Sequence, residues 1–228
     1  MTELWQGLVK AVELIVSRDP EVMEITVRSL AISATSCTIT ALVCLPLGSL
    51  IHFSRFAGKR ALVNLIQTFY SVPTVAIGLF IFVLLSRAGP LGELGLLFTP
   101  IAMVLGQVLL VMPIMLGLTI SALSSIDKAV FETAISLGAS GTQASILTLR
   151  EARFAVLTAV IMAFGRAISE VGLSLMVGGN IKGFTRTLTT AISLETSKGD
   201  IELSIALGII LISLALIINV VLSRLQQR

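Results

Sequence analysis

Charged residues are scarce in this chain: they make up 13% of its 228 residues, whereas 55% are hydrophobic. A water-soluble globular domain carries about twice that share of charge, so the composition excludes this class. The net charge of +3 is spread along the sequence and forms no basic patch. Nucleic acid is therefore not an expected partner, and the apolar excess indicates a protein that needs lipid.

Side chains for catalysis and metal binding are also few. His52 is the one histidine, and the sequence has no H-E-x-x-H motif. These absences disfavour a metal site and a membrane-embedded enzyme, for which Arg166 and Glu170 would be the remaining candidates. A glycine-rich loop with a lysine, which cradles phosphates, is absent too, so the chain itself is not expected to hydrolyse ATP. Cys37 and Cys44 stand about 10 Å apart along a helix, too far for a disulfide.

Long apolar runs are what the sequence has in abundance. A helix needs roughly 20 apolar residues to cross the hydrocarbon core of a bilayer. Runs of that length cover residues 29–51, 61–86, 94–126, 154–177 and 203–223. The fourth run carries Arg166 and Glu170, and the other four contain no charged residue. Continuous runs without alternation predict an all-α integral membrane protein with about five transmembrane helices.

The first 28 residues have a different pattern. Apolar side chains recur at helical spacing, at Leu4, Leu8, Ala11, Val12 and Ile15. This spacing predicts an amphipathic helix along the membrane surface, which ends at Asp19-Pro20. We therefore divide the chain into residues 1–28, the surface helix and the entry to the first span, and residues 29–228, the five-helix membrane domain.

Orientation is predicted from the lysines and arginines near the ends of the spans. The compact cluster of Arg55, Lys59 and Arg60 after the first span favours the cytoplasmic side. With five spans, this places the N-terminus outside the cell membrane and the C-terminus in the cytoplasm.

Residues 127–153, between the third and fourth runs, are too regular for a loose loop. Asp127 can cap a helix that runs through Ala134, and Gly138 and Gly141 provide a helix end and a turn. A second helix is expected to begin near Thr142. The segment therefore predicts a helical hairpin that projects from the membrane surface. From these residues alone, a hairpin without a partner is an equal alternative.

One motif in this hairpin has a known counterpart. Glu132-Thr133-Ala134, followed after three residues by Gly138, resembles the E-A-A-x-x-x-G coupling motif of ABC importer permeases. In that family the motif docks in a groove of a separate ATPase subunit. The resemblance implies an ATPase contact formed by Glu132, Thr133, Ala134, Gly138, Ala139 and Ser140. It also implies the type I importer (MetI-like) fold, with a cytoplasmic coupling helix.

Other segments resemble the permeases for molybdate and tungstate, most closely those for tungstate. The block 165–172 is similar to their R-A-x-x-E-x-G motif, and 178–188 is similar to G-N-I-x-G-x-T-x-T-L. Residues 71–78 and 87–92 extend the resemblance. It implies a permease subunit of an ABC importer that passes an oxyanion, tungstate first, with molybdate, sulfate or phosphate as alternatives.

The resemblance also implies partners and location. We expect a homodimer in the inner membrane that binds two cytoplasmic ATPase subunits, which hold ATP and Mg²⁺, and an external solute-binding protein. The chain itself is expected to hold no cofactor and no metal. The surface on which the binding protein docks is expected to include Gly179, Asn180, Thr185 and Thr187.

Arg166 and Glu170 lie four residues apart in the fourth run, where a lone charge costs at least about 2.5 kcal/mol. They either line the translocation path or form a neutralised pair that fixes helix packing, and the sequence leaves both open. Residues that could line the path or gate with them are Ser169, Ser71, Pro73 and Thr74. Pro73 and Pro113 are both expected to bend their helices. An ion-coupled secondary transporter is the remaining alternative, but repeated halves and discontinuous helices are not evident in the sequence.

Overall fold

The computed structural model describes residues 2–226, and the regular secondary structure in that range is entirely helical. The helices are α1 (Thr2–Val16), α2 (Pro20–Phe53), α3 (Lys59–Thr68), α4 (Thr74–Leu85), α5 (Pro100–Ser124), α6 (Lys128–Ser136), α7 (Gly141–Glu151), α8 (Arg153–Ile168), α9 (Gly172–Gly178), α10 (Leu188–Lys198) and α11 (Ile201–Gln226). Short 3₁₀ turns occupy Phe69–Ser71 and Gly92–Leu94. The predicted all-α fold class is confirmed.

Three helices are long and apolar enough to cross a membrane singly: α2, α5 and α11. Two bent pairs of helices are long and apolar enough only when the members of each pair are taken together. Lys59–Ser71 and α4 meet at 95°, and α8 and α9 meet at 60°. Counting each pair as one span gives five, in agreement with the five apolar runs. A bend at Pro73 in the second span was expected, whereas the break in the fourth span was not.

The first span starts earlier than its apolar run. The Asp19 carboxylate accepts a hydrogen bond from Val22 N at 3.0 Å, and Pro20 occupies the first turn of α2. Both features favour a helix start, so α2 is continuous from Pro20 through the predicted boundary at residue 28. The absence of charged residues indicates which part of a helix lies in the bilayer core. The capping residues indicate where the helix begins.

Helix α5 lies at the centre of the membrane domain, packed against α2, α8 and α9. Its side chains Met103, Val111 and Met115 are completely buried. Cys44 of α2 is buried in the same core, and both cysteines are free thiols, as expected. Helix α5 also runs unbroken through Pro113, so this proline does not interrupt the third span, and a bend there stays a prediction.

Helix α1 packs along α11 through small residues. Gly7, Ala11 and Leu14 are buried, and a methyl group added at Gly7 would lie 2.3 Å from Ile205 Cγ2. Most of the large apolar side chains predicted to form its apolar face remain exposed, namely Leu4, Leu8, Val12 and Ile15. The helix is thus amphipathic, but a small-residue stripe makes its protein contact. Its placement along the membrane surface stays a prediction.

Candidate coupling hairpin and translocation path

The segment between α5 and α8 forms the two-helix hairpin that the sequence predicts. The Asp127 carboxylate caps α6 by accepting from Ala129 N at 2.9 Å. Gly138 takes a left-handed conformation, with φ +90°, and its N–H donates to Ile135 O at 2.9 Å. Glycine adopts this conformation without steric cost. Ser140 and Gln143 then form a reciprocal capping box that starts α7 at Gly141.

Most residues of the predicted ATPase contact lie on the exposed side of this hairpin. Glu132, Thr133, Gly138 and Ser140 are exposed, and Ala139 is half-buried. Ala134 is buried at 6% exposure, so its small side chain packs beneath the hairpin. The ring of Phe131 stacks on Phe53 at the end of α2, with centroids 4.5 Å apart. This contact packs the hairpin against the end of a membrane-spanning helix.

The breaks of the two bent spans lie side by side. A methyl group added at Gly172, the first residue of α9, would lie 3.0 Å from Val75 Cγ2, 3.5 Å from Thr74 Oγ1 and 3.7 Å from Glu170 Oε1. One turn further along α4, a methyl group at Gly78 would lie 3.1 Å from the Leu173 backbone. Glycine permits this close approach. The structure thereby brings the predicted path residues Thr74 and Glu170 together, and Ser71 and Pro73 directly precede α4.

Arg166 and Glu170 form an ion pair across the break in the fourth span. Arg166 Nη1 donates to Glu170 Oε2 at 2.9 Å, from the last turn of α8. The other oxygen, Oε1, accepts from Leu173 N at 2.9 Å and so caps α9. The Glu170 side chain is 2% exposed and that of Arg166 is 34% exposed. The sequence suggested one continuous helix, but Glu170 lies outside both helices and its carboxylate joins them.

Two polar contacts at the break were missed by sequence reasoning. Gln107 Nε2 of α5 donates to Ala167 O at 3.2 Å, inside the core. Thr189 Oγ1 of α10 donates to Glu170 O at 2.8 Å. Gln107 is the only amide side chain in the third apolar run. A single amide among apolar residues was the feature of the sequence that could have indicated a buried polar contact. Ser169 is exposed beside the ion pair, and its hydroxyl donates to Arg166 O at 3.2 Å.

The four residues predicted for the binding-protein surface divide into two kinds. Gly179 is exposed and Asn180 is half-buried, and both take positive φ, +70° and +51°. Thr185 and Thr187 are 0% and 5% exposed, so direct contact through their side chains is ruled out in this structure. Their hydroxyls hold the segment from within, because both engage buried neighbours. The exposed side chains of this segment are those of Ile181, Lys182 and Phe184.

The family described as binding-protein-dependent transport system inner membrane component matches residues 44–228. That range includes the coupling hairpin, both bent spans and the ion pair. The chain belongs to this family. It is therefore a multi-pass component of a membrane transport system and not an enzyme, and membership implies a solute-binding protein and an ATPase as partners.

Curated relatives extend the similarity over the whole permease. The tungstate uptake system permease protein TupB of Peptoclostridium acidaminophilum is 42% identical over 227 residues, which is 100% of both chains. A probable anion ABC transporter permease protein of Haloferax volcanii is also 42% identical, over 90% of this chain and 91% of the relative.

A solved structure supports the fold independently of close sequence similarity. A chain of a bacterial alginate ABC transporter, in complex with an alginate-bound periplasmic protein, superposes with a TM-score of 0.78. The superposition covers 100% of this permease and 87% of that chain, at 17% sequence identity. The likeness establishes the type I importer fold expected from the sequence.

Proposed function

We propose that this chain is the permease subunit of an ATP-driven importer for a tetrahedral oxyanion, with tungstate as the first candidate and molybdate as the second. The observation that carries the substrate is the 42% identity over the full length to a tungstate uptake permease. The relative named as an anion permease agrees with the class of substrate. Sulfate and phosphate remain the alternative substrates for an importer of the same kind.

The proposed assembly is a homodimer with the path between its two copies. Five spans form too small a bundle to enclose an anion path alone, and closed two-fold symmetry would present two hairpins to two ATPase subunits. We place the hairpins in the cytoplasm, with the N-terminus outside. The lysines and arginines beside the hairpin, Arg55, Lys59 and Lys128, support this orientation.

The proposed path runs along the two adjacent breaks. Arg166, Ser169 and Glu170 from the fourth span face it, together with Ser71, Pro73 and Thr74 from the second. Arg166 remains one-third exposed while it is paired, so an oxyanion can approach the guanidinium and compete with the Glu170 carboxylate for it. Because Glu170 holds the cation in place and offsets its charge, the affinity for the anion stays low, which permits release.

Uptake by the reconstituted importer tests the substrate. The complex of permease, ATPase and binding protein in vesicles is given labelled tungstate, molybdate, sulfate, phosphate or a neutral amino acid. We expect ATP-dependent uptake of tungstate above molybdate, and none of the amino acid. Uptake of the amino acid without any oxyanion would refute the substrate class while leaving the family assignment in place.

Charge reversal on the hairpin tests the ATPase contact. Glu132→Lys should abolish transport and leave the membrane fold intact, because Glu132 is exposed and its side chain has no hydrogen bond or ion pair among the contacts that the structure describes. Glu93→Lys is a matched control, since Glu93 is equally exposed but lies in the loop before α5, on the proposed external side. Normal ATPase binding and uptake in Glu132→Lys would exclude the hairpin as the docking element.

A further inference from the structure

Hydrogen bonds link the segment after α9 to the break in the fourth span, in a row that passes through two atoms of Thr190, its backbone carbonyl and its side-chain hydroxyl. Asn180 Nδ2 donates to Thr190 O at 3.3 Å. Within the first turn of α10, the hydroxyls of Thr187 and Thr190 lie 3.2 Å apart, and those of Thr187 and Thr189 lie 3.1 Å apart. Thr189 Oγ1 then reaches the Glu170 carbonyl at 2.8 Å. The row therefore starts in the proposed docking segment and ends at the residue that holds Arg166.

The direction of the last two bonds follows from counting protons. A threonine hydroxyl has one proton to donate, and a carbonyl oxygen only accepts. Thr189 must therefore use its proton on Glu170 O, so it can only accept from Thr187. The Thr187 proton is thereby committed to Thr189. Hydrogen bonds aligned in this way polarise one another, so the Thr187 and Thr189 hydroxyls are both aligned towards Glu170 O. The Thr190 hydroxyl is less restricted, because it lies 3.2 Å from the Thr187 carbonyl as well as from the Thr187 hydroxyl.

This row ends at a carbonyl that no helix pairs, beside the other polar contacts of the break. Glu170 lies between the end of α8 at Ile168 and the start of α9 at Gly172, so its carbonyl belongs to neither helix. A backbone group at such a break needs a partner from elsewhere. Thr187, Thr189 and Thr190 are between 0% and 6% exposed, so bulk water does not replace the bonds between them while the fold is intact.

We propose that Thr189 is a positioning residue, which transmits docking of the binding protein at residues 179–187 to the Arg166–Glu170 pair, with Thr187 as the intermediate link. A displacement of the segment shifts the first turn of α10, and the Thr189 hydroxyl moves the Glu170 carbonyl with it. The Glu170 carboxylate then changes its hydrogen bonds to Arg166 and to Leu173 N at the start of α9. This inference rests on the proposed function, since it needs an external docking protein and a path at the ion pair.

The test compares Thr189→Val with Thr189→Ser in the complete complex in nanodiscs. Valine keeps the volume and removes the hydroxyl, whereas serine keeps the hydroxyl. The readouts are ATP hydrolysis with and without tungstate-loaded binding protein, and the affinity for that protein. We expect Thr189→Val to lower the stimulation by roughly fivefold, the factor that one neutral hydrogen bond contributes to a two-state equilibrium. Because coupling is reciprocal, the affinity should fall by no more than the same factor. The unstimulated rate should stay unchanged, and Thr189→Ser should retain the stimulation.

Thr119→Val is the matched control, because Thr119 is also fully buried but donates only within its own helix, to Met115 O. If Thr189→Val fails to assemble, Thr187→Val breaks the row one bond earlier and should lower the stimulation in the same direction. Unchanged stimulation in the Thr189 and Thr187 variants, or an equal loss in the Thr119 control, overturns the proposal. Absence of stimulation in the unaltered complex would instead contradict the proposed function itself, and the proposal would fall with it.

Discussion

The two bent spans differ in what holds them bent. In the second span, the break lies at Pro73 and is filled by close packing: the Tyr70 ring fits against Gly117, and Val75 fits against Gly172. The fourth span has no proline between residues 153 and 178. Its break is held by polar contacts of Glu170, with Arg166, with the start of α9 and with α10.

This difference indicates which break can change during transport. Close packing tolerates little displacement, because dispersion contacts weaken as soon as atoms separate. A hydrogen bond or ion pair can be exchanged for another polar partner at small net cost. We therefore expect the break at Pro73 to keep its angle and the break at Glu170 to change when the complex binds ATP.

Proline alone does not produce a break in this protein. Helix α5 continues through Pro113 and α2 continues through Pro46. Proline removes one helical hydrogen bond, but the surrounding packing decides whether the helix stays continuous. The bend at Pro73 therefore owes its angle to the neighbours of the span as well as to the proline ring.

The largest effect is expected from removing the polar support of the fourth-span break. Glu170→Ala deletes both the partner of Arg166 and the cap of α9, and we expect unfolding in detergent to become easier by about 3 to 5 kcal/mol. Glu170→Gln should cost less, because an amide oxygen can still accept from Leu173 N. Glu13→Ala serves as the control, since the exposed Glu13–Lys10 pair should contribute less than about 1 kcal/mol. A loss in Glu170→Ala no larger than in this control would show that the pair does not hold the break.

An intermediate effect is expected from overfilling the second-span break. A methyl group at Gly117 would lie 1.8 Å from the Tyr70 hydroxyl, so Gly117→Ala must displace the ring, at about 1 to 3 kcal/mol. Adding Tyr70→Phe should recover part of that loss in the same unfolding measurement. Gly208→Ala, at a helical position with open space, should be neutral or stabilising. Equal behaviour of the two alanine variants would contradict the packing account of this break.

The smallest effect is expected from removing the proline itself. Pro73→Ala leaves the contacts of Tyr70, Val75 and Gly78 in place, so the bend should persist. The expected loss is about 0.4 to 1 kcal/mol, from the greater freedom of the unfolded chain. Unfolding in detergent and the transport rate would be measured side by side with Glu170→Ala. If Pro73→Ala proved as damaging as Glu170→Ala, the distinction between the two breaks would be lost.

Structural features that depend on residues close together in the sequence could be predicted from it. The five spans follow from long apolar runs, and the hairpin follows from the capping residue Asp127 and from Gly138, at which the first helix of the hairpin ends. The role of Glu170 was not predictable, because its partners Leu173 N and Thr189 matter only after the helix breaks. Burial of Thr185 likewise depends on how the segment folds back on Gly178. The spacing of residue types predicts local helices and turns, but it does not predict contacts between segments that are far apart in the sequence.

The most direct test of this account is a pair of distance measurements across the two breaks. Spin labels at Met162→Cys and Ile181→Cys span the fourth-span break, and labels at Leu65→Cys and Val83→Cys span the second. All four positions are exposed, whereas the native Cys37 and Cys44 are 4% and 0% exposed, which keeps the labelling selective. Distances are compared between the nucleotide-free complex and the complex held with ATP by a hydrolysis-deficient ATPase. The account predicts a shifted distance across the fourth-span break and an unchanged one across the second; a shift confined to the second, or equal shifts in both, would contradict it.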